Sequence, residues 1–376
     1  MPLRLAQQWF PNMFHTPCSS ADGTAHFLAR WGKPLSGQRR SSCKIRANRT
    51  VGLALFVGVW TSALTLVADS AEPANMRAVV DPVSGCIDLL EGDRPVLRYN
   101  YRTVAPPDGV LDKVSAGSRK YARPRGNYIH PLYGPDGEVL TEDWSVDHPH
   151  HRGVYWAWPE VDFGGARGDL HALQTVFARP TGAIELSSGE TSARIEAENL
   201  WQWEDKTPIV RELTTMVAHH TTEHGRYVDL MFQFTALEEG VKLARRGTDK
   251  YGGVNVRLSP IKGLQLIHHA DPPTAKPRRA WSDSLGIRSG GTGSVGLAVF
   301  ENATNPDYPA DYVEYPNLPW FQPTFPKAGT RYELKKGKPL TLRYRLWIRR
   351  GGRVGEAEYK THWRGLNETK PREPRS

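Results

Sequence analysis

The 376-residue sequence predicts an all-β protein, a large antiparallel β-sandwich with few short helices. Three observations carry that prediction. Apolar and polar residues alternate along several segments, the period of a half-buried strand. No stretch repeats apolar residues at helical spacing across three turns. No linker and no internal repeat of 20 to 50 residues divides the chain after its leader, so residues 71–366 read as one domain. Many short strands in one domain must bury their apolar faces on each other, which packed sheets achieve and a single open sheet does not. At 39% apolar and 10% aromatic residues the material for that core is present, which excludes disorder as the main state.

The elements follow in chain order. Val51 to Val67 is a run of 17 uncharged, mostly apolar positions behind Lys44, Arg46 and Arg49, followed by Ala68-Asp69-Ser70-Ala71. This is the n-region, h-region and small-residue pattern of a secretory signal, with cleavage expected after Ser70. Residues 1–70 are therefore read as a leader and the protein as secreted or periplasmic. The alternative is a single membrane anchor, since 17 residues is at the lower edge of a span. Short strands are expected at Val154 to Trp158, Ala193 to Ala197, Val254 to Leu258 and Val295 to Phe300, each bounded by turn residues. Longer ones carry Val228, Leu230, Phe232 and Phe234 on one face, and Leu340, Leu342, Tyr344, Leu346 and Ile348 on one face. Val354 to Leu366 fits one short terminal helix, and residues 367–376 (NETKPREPRS) read as a polar, disordered tail.

The net charge of +9 suggests nucleic acid until it is located. Residues 1 to 50 hold eight Lys/Arg against Asp22 alone, and from Ala71 onward 41 basic residues face 38 acidic ones. Bulk charge therefore supports no nucleic-acid face. Cys18 and Cys43 lie in the leader, leaving Cys86 alone in the domain, so neither an internal disulfide framework nor a cysteine-based zinc site can form there. Cys86 is expected to be a buried thiol acting as a small hydrophobe.

The densest chemistry lies between Asn127 and His171, where His130, His148, His150, His151 and His171 supply five of the 13 histidines. As a metal site, imidazoles at 148 and 150 would point the same way from an extended segment, with Asp147 or His171 completing the set. The spacing matches no strong metal signature such as the helical H-E-x-x-H. As a site for an organic substrate, the same segment supplies acid/base histidines (His148, His150, His151), the cation Arg152, the carboxylate Asp147 and the aromatic planes Trp156 and Trp158. That combination suits a sugar, whose C–H faces stack on rings while its hydroxyls need directional partners. In an extended register 148, 150, 152, 154, 156 and 158 share one side, so His148, His150 and Arg152 are expected to line one pocket with Trp156 or Trp158. Arg152 would then need a partner, Asp147 or Asp162.

The segments IHPLYGPDGEVLT, DHPHHRGVYWAW, DKYGGVNVRL, RRAW, VGLAVFENATNPDYP and PLTLRYRLWIRRG, in that order from about Arg77 to Gly351, resemble the bacterial family labelled PmoA, or methane-oxygenase PmoA-like. DHPHHRG is the specific element. The sequence departs from the family after it, with Trp156-Ala157-Trp158-Pro159 in place of a small, polar stretch. The resemblance implies an exported, mostly β protein and brings no catalytic residues with it. A membrane methane-oxidising subunit would need several apolar spans of about 20 residues each. This sequence has one candidate, in the leader, so the label does not carry that activity across, although a copper or iron site of another kind stays open.

Elsewhere, Lys250 before Gly252-Gly253 reads as a turn, or as a loop closely approached by a ligand. Arg279, with Arg278 and Trp281, reads as a solvent-facing group or as a clamp for a sugar. The expected sandwich is the one used by galactose-mutarotase-like enzymes, an analogy of fold. Three functions remain open: a sugar-modifying enzyme using histidine acid/base chemistry (hydrolysis, elimination or epimerisation), a metal-dependent enzyme, and a non-catalytic carbohydrate-binding protein. Acid/base roles fall to His148, His150, His151 and Arg152, and substrate contacts to His130, Asp147, Trp156, Trp158, His171, Lys250 and Arg279. No cofactor is required by the sequence, and a divalent metal would fall to His148, His150 and His171. The partner is a carbohydrate or other small molecule, with no nucleic acid and no membrane beyond the leader.

Overall fold

A computed structural model describes residues 75–269, 279–315 and 318–368. The leader, its apolar run 51–67, Cys18, Cys43, Arg278 and residues 369–376 fall outside them. Among the described residues no helix is long and apolar enough to cross a membrane.

Two eight-stranded antiparallel sheets and a four-stranded one make up the fold, as the alternation predicts. The first sheet runs Met76–Asp81, Cys86–Glu91, Arg94–Asn100, Tyr128–Leu132, Val154–Ala157, Gly253–Arg257, Leu318–Pro323 and Tyr312–Tyr315 in spatial order. The second runs Ile261–His268, Trp281–Arg288, Ser294–Glu301, Leu340–Arg350, Arg226–Ala236, Thr207–His219, Ser192–Trp203 and Val176–Ser187. The small sheet joins Tyr332–Glu333, Lys242–Ala244, Glu160–Phe163 and Ala166–Gly168.

One continuous core lies between the two large sheets. Ile87, Leu89, Val154, Trp156, Val254 and Val256 of the first meet Ile195, Met216, Val228, Leu230, Phe232 and Leu342 of the second. Trp156 bridges the layers, its ring 5.0 Å from that of Phe232. Strand Arg226–Ala236 buries every second residue along its length, as its sequence requires. Strand Leu340–Arg350 does so until Leu346, after which both faces are buried. The cause is helix Glu356–Glu368, whose Tyr359, His362 and Leu366 lie on one face and cover the outer side of Trp347. The helix continues two residues past Leu366, the end expected from sequence.

Cys86 is 1% exposed, and burial pushes its thiol above the usual range. Reducing agent is therefore expected to leave the unfolding midpoint of a chain starting at Ala71 unchanged. A midpoint that fell on reduction, followed by circular dichroism, would require a disulfide between chains.

The outer face of the first sheet positions the site. Along strands Val154–Ala157 and Gly253–Arg257, Val154, Trp156, Val254 and Val256 enter the core, so Tyr155, Asn255 and Arg257 face the other way. Trp320, paired in register with Arg257, joins them, and its indole N–H donates to Asn255 Oδ1. Loops around residues 121, 147–151, 169–172 and 246–251 stand around this patch.

Candidate active site

These loops enclose an open cleft of about 650 Å³ lined by Tyr121, Asp147, His148, His150, His151, Asp169, His171, Ala172, Arg246, Tyr251, Tyr315, Leu318 and Trp320. The segment 147–151 reaches it through a turn, closed by the His151 N–H donating to the His148 carbonyl at 2.8 Å. Because of that turn, consecutive His150 and His151 both enter the cleft instead of alternating. Their ring centroids are 4.6 Å apart, and those of His171 lie 4.7 and 5.2 Å from His150 and His151.

His171 comes from the loop after Asp169, held at several points. The Trp158 carbonyl accepts the N–H groups of Leu170 and His171 at 2.9 and 3.3 Å. The Arg125 guanidinium donates to the Leu170 and His171 carbonyls at 2.6 and 2.9 Å. The Tyr155 hydroxyl rises from the sheet between two histidines, donating to the His150 carbonyl at 3.0 Å and lying 3.2 Å from His171 Nδ1.

At the mouth, His148 Nδ1 stands 3.0 Å from Asp147 Oδ2, and Arg257 holds the same carboxylate at 2.9 Å while also donating to Glu142. The walls are aromatic. Tyr315 stacks on Trp320 with ring centroids 5.2 Å apart and remains exposed. Tyr251 lies 5.5 Å from His171, and Tyr121 lies 5.3 Å from His150. Arg246 reaches Asp169 at 2.5 Å.

Burial keeps the three deep imidazoles neutral. It pushes His150 down to about 3, with His148 and nearby guanidinium groups adding to the effect, and it holds His151 and His171 far below the ordinary histidine range. Burial alone would raise Asp147, but the His148 hydrogen bond and the Arg257 charge outweigh it and keep its carboxyl well below the usual range. Burial raises Asp169 in spite of Arg246 and the Ala172 N–H.

Of the residues singled out from sequence, Asp147, His148, His150, His151 and His171 meet in this cleft. Arg152 does not share it. Its guanidinium is enclosed between the Trp144 and Tyr128 rings, 3.6 and 4.8 Å from their centroids, and pairs with Asp143, not with Asp147 or Asp162. Trp156 and Trp158 are also elsewhere, packed in the core against Phe232, Phe234 and Trp201. The expected extended register fails because the backbone turns at 147–151 and again at Gly153, where φ is 57°. A Cβ at Gly153 would lie 2.0 Å from the Ile129 carbonyl oxygen, so only glycine fits that reversal. Residues 154 and 156 do share a side, but it faces the core.

His130 lies outside the cleft, its Nδ1 3.0 Å from Thr141 Oγ1. Lys250 is an exposed turn residue whose carbonyl accepts from Arg245 Nε at 2.6 Å. Arg279 donates to the Tyr312 carbonyl at 3.3 Å and faces Glu314. The close histidine trio contains His151 where sequence spacing suggested His148. Sequence reasoning missed Tyr121, Tyr155, Asp169, Arg246, Tyr251, Arg257, Tyr315 and Trp320. For Tyr155 and Arg257 a signal existed: each is the out-of-phase residue of a core strand, in VYWA and GVNVR.

No curated protein matches this sequence. Among solved structures, a polysaccharide lyase is 14% identical with a TM-score of 0.32, covering 75% of this chain and 33% of its own. A putative kojibiose phosphorylase from the human microbiome is 9% identical at 0.29, covering 58% and 26%. A 4-alpha-glucanotransferase from Thermococcus litoralis is 13% identical at 0.27, covering 74% and 39%. This chain spans well under half the length of each, and likeness of this degree says nothing of activity. The methane-oxygenase PmoA-like resemblance is corrected: no such family matches. The family model that does match, over residues 86–364, is DUF6807, and the chain belongs to that family of unknown function.

Proposed function

We propose that this protein is an exported, carbohydrate-active enzyme that binds a sugar in the aromatic-walled cleft and moves a proton with His148. The observation that carries the reading is the pairing of Asp147 with His148 on a cleft walled by Tyr121, Tyr251 and Tyr315. Export rests on the leader pattern at 51–67. A carboxylate can only accept, so Nδ1 of His148 donates to Asp147 and Nε2 is left to exchange a proton with substrate. Arg257 fixes Asp147 in turn, so the ring is held in one tautomer and orientation. The open face of Tyr315 is the stacking plane for the apolar side of a sugar ring, and Arg246 and Asp169 supply hydroxyl partners. Proton transfer at a sugar carbon or oxygen serves hydrolysis, elimination and epimerisation alike.

The test is a panel of neutral and uronic-acid oligosaccharides, with binding read by intrinsic fluorescence and turnover by product analysis. Tyr315→Ala is expected to weaken binding about tenfold. His148→Ala is expected to keep binding and lose turnover by roughly 10²- to 10⁴-fold. Its side chain is 43% exposed, so stability should change by less than about 0.5 kcal/mol. The reading fails if no sugar of the panel binds, or if His148→Ala turns over like the wild type.

A further inference from the structure

We propose that His150, His151 and His171 form a site for one divalent transition-metal ion of the zinc class, with an open coordination position facing the cleft. The proposal adds a cofactor beneath His148 and stands on the geometry of the trio, independent of which molecule the cleft takes. One ligand atom from each of the three rings lies within 4.8 Å of the others. Nitrogens bound tetrahedrally at about 2.1 Å from zinc are about 3.4 Å apart, so ring rotations closing about 1.4 Å complete the set.

Two further observations point to an ion instead of mere ring packing. Nδ1 of His150 and Nδ1 of His151 are both buried with no hydrogen-bond partner among the described residues. A buried polar nitrogen left unpaired is costly, and both belong to rings of the close trio, where one cation would relieve them. The third ring is oriented from behind. The Tyr155 hydroxyl has a single proton, which the His150 carbonyl receives. Toward His171 Nδ1 the same oxygen therefore accepts, which places the proton on Nδ1 and the free lone pair on Nε2. A metal-ligating histidine is characteristically held this way through its other nitrogen.

Two of the surrounding cations are paired with carboxylates, Arg257 with Glu142 and Asp147 and Arg246 with Asp169, while Arg125 donates to the Leu170 and His171 carbonyls. Asp147 and Asp169, the carboxylates that pair with Arg257 and Arg246, stand in the same lining. Three imidazoles from one side leave the cleft side for water or a sugar hydroxyl, the arrangement of a catalytic site and not of a closed structural one. Imidazole ligands suit zinc, iron, copper and nickel alike, and three histidines with an open fourth position are a set that zinc readily takes.

The experiment uses the untagged full chain, stripped with a chelator, then titrated with Zn²⁺ and separately with Co²⁺. Expected results are one zinc per chain by elemental analysis, a higher melting temperature with zinc, and a visible cobalt absorption typical of four or five ligands. His150→Ala and His171→Ala should each abolish stoichiometric binding, and Tyr155→Phe should weaken it by about 10- to 100-fold. His148→Ala should leave the metal content unchanged. If His171→Ala does not fold, the partly exposed His150→Ala decides. The proposal is overturned if the wild-type chain binds no stoichiometric ion, or if His150→Ala retains it. Sugar binding without an ion would remove this inference and leave the proposed function standing. An ion without any sugar binding would do the reverse.

Discussion

Replacing Arg152 by Met is expected to cost about 3–5 kcal/mol of stability, the penalty for breaking a buried ion pair by removing one partner. Arg152 is fully buried and donates to both Asp143 and the Tyr128 hydroxyl, the latter at 2.8 Å. The Tyr128 hydroxyl in turn donates to Asp143 at 3.0 Å, so one substitution leaves a carboxylate and a phenol without their cation. The stack on the Trp144 ring is weakened as well. Denaturant unfolding of wild type and variant reads the effect, which in melting temperature amounts to about 10 °C. The paired measurement is His148→Ala, which should barely move the midpoint. An unchanged midpoint for Arg152→Met together with lost sugar binding would return Arg152 to the site.

Trp158→Ala is expected to lose about 3–5 kcal/mol, the range for emptying a large aromatic position in a core. Trp158 is completely buried, with ring centroids 4.5 Å from Trp156, 5.0 Å from Phe234 and 5.6 Å from Trp201. Its indole N–H donates to the Phe325 carbonyl at 2.6 Å, a bond that alanine cannot make. The same residue's carbonyl holds the backbone of Leu170 and His171, so the variant should also loosen His171. Calorimetry of the variant checks the first effect, and zinc affinity checks the second. Wild-type stability with impaired sugar binding would show that Trp158 faces substrate after all.

The fold was legible because period-two alternation acts residue by residue. Val228, Leu230, Phe232 and Phe234 could only face one way in an extended backbone, and all four are buried. The terminal helix was legible for a related reason, since Tyr359, His362 and Leu366 return to one face at helical spacing. The gathering of histidines was visible as composition, five within 42 residues. Their partition was not. The same rule that located the strands, continued from 154 back to 148, predicts the wrong companions for His148 and His150.

Sequence by itself determined which residues share a strand face and where the histidines gather, because both follow from neighbours along the chain, and the cysteine count left Cys86 without a partner in the domain. Tertiary structure decided which histidines meet, which cation is enclosed and which aromatic residues wall the cleft. Only glycine can hold the reversal at 153, because the Ile129 carbonyl leaves no room for a Cβ, and that carbonyl belongs to a neighbouring strand. Arg152 is withdrawn from the cleft by Asp143, Tyr128 and Trp144, and His171 is brought in by Arg125 and Trp158. Tyr251, Tyr315 and Trp320 lie roughly 100 residues or more further along the chain than His150 and reach it through the sheet order. Such proximities depend on packing between distant segments, and no local period encodes them.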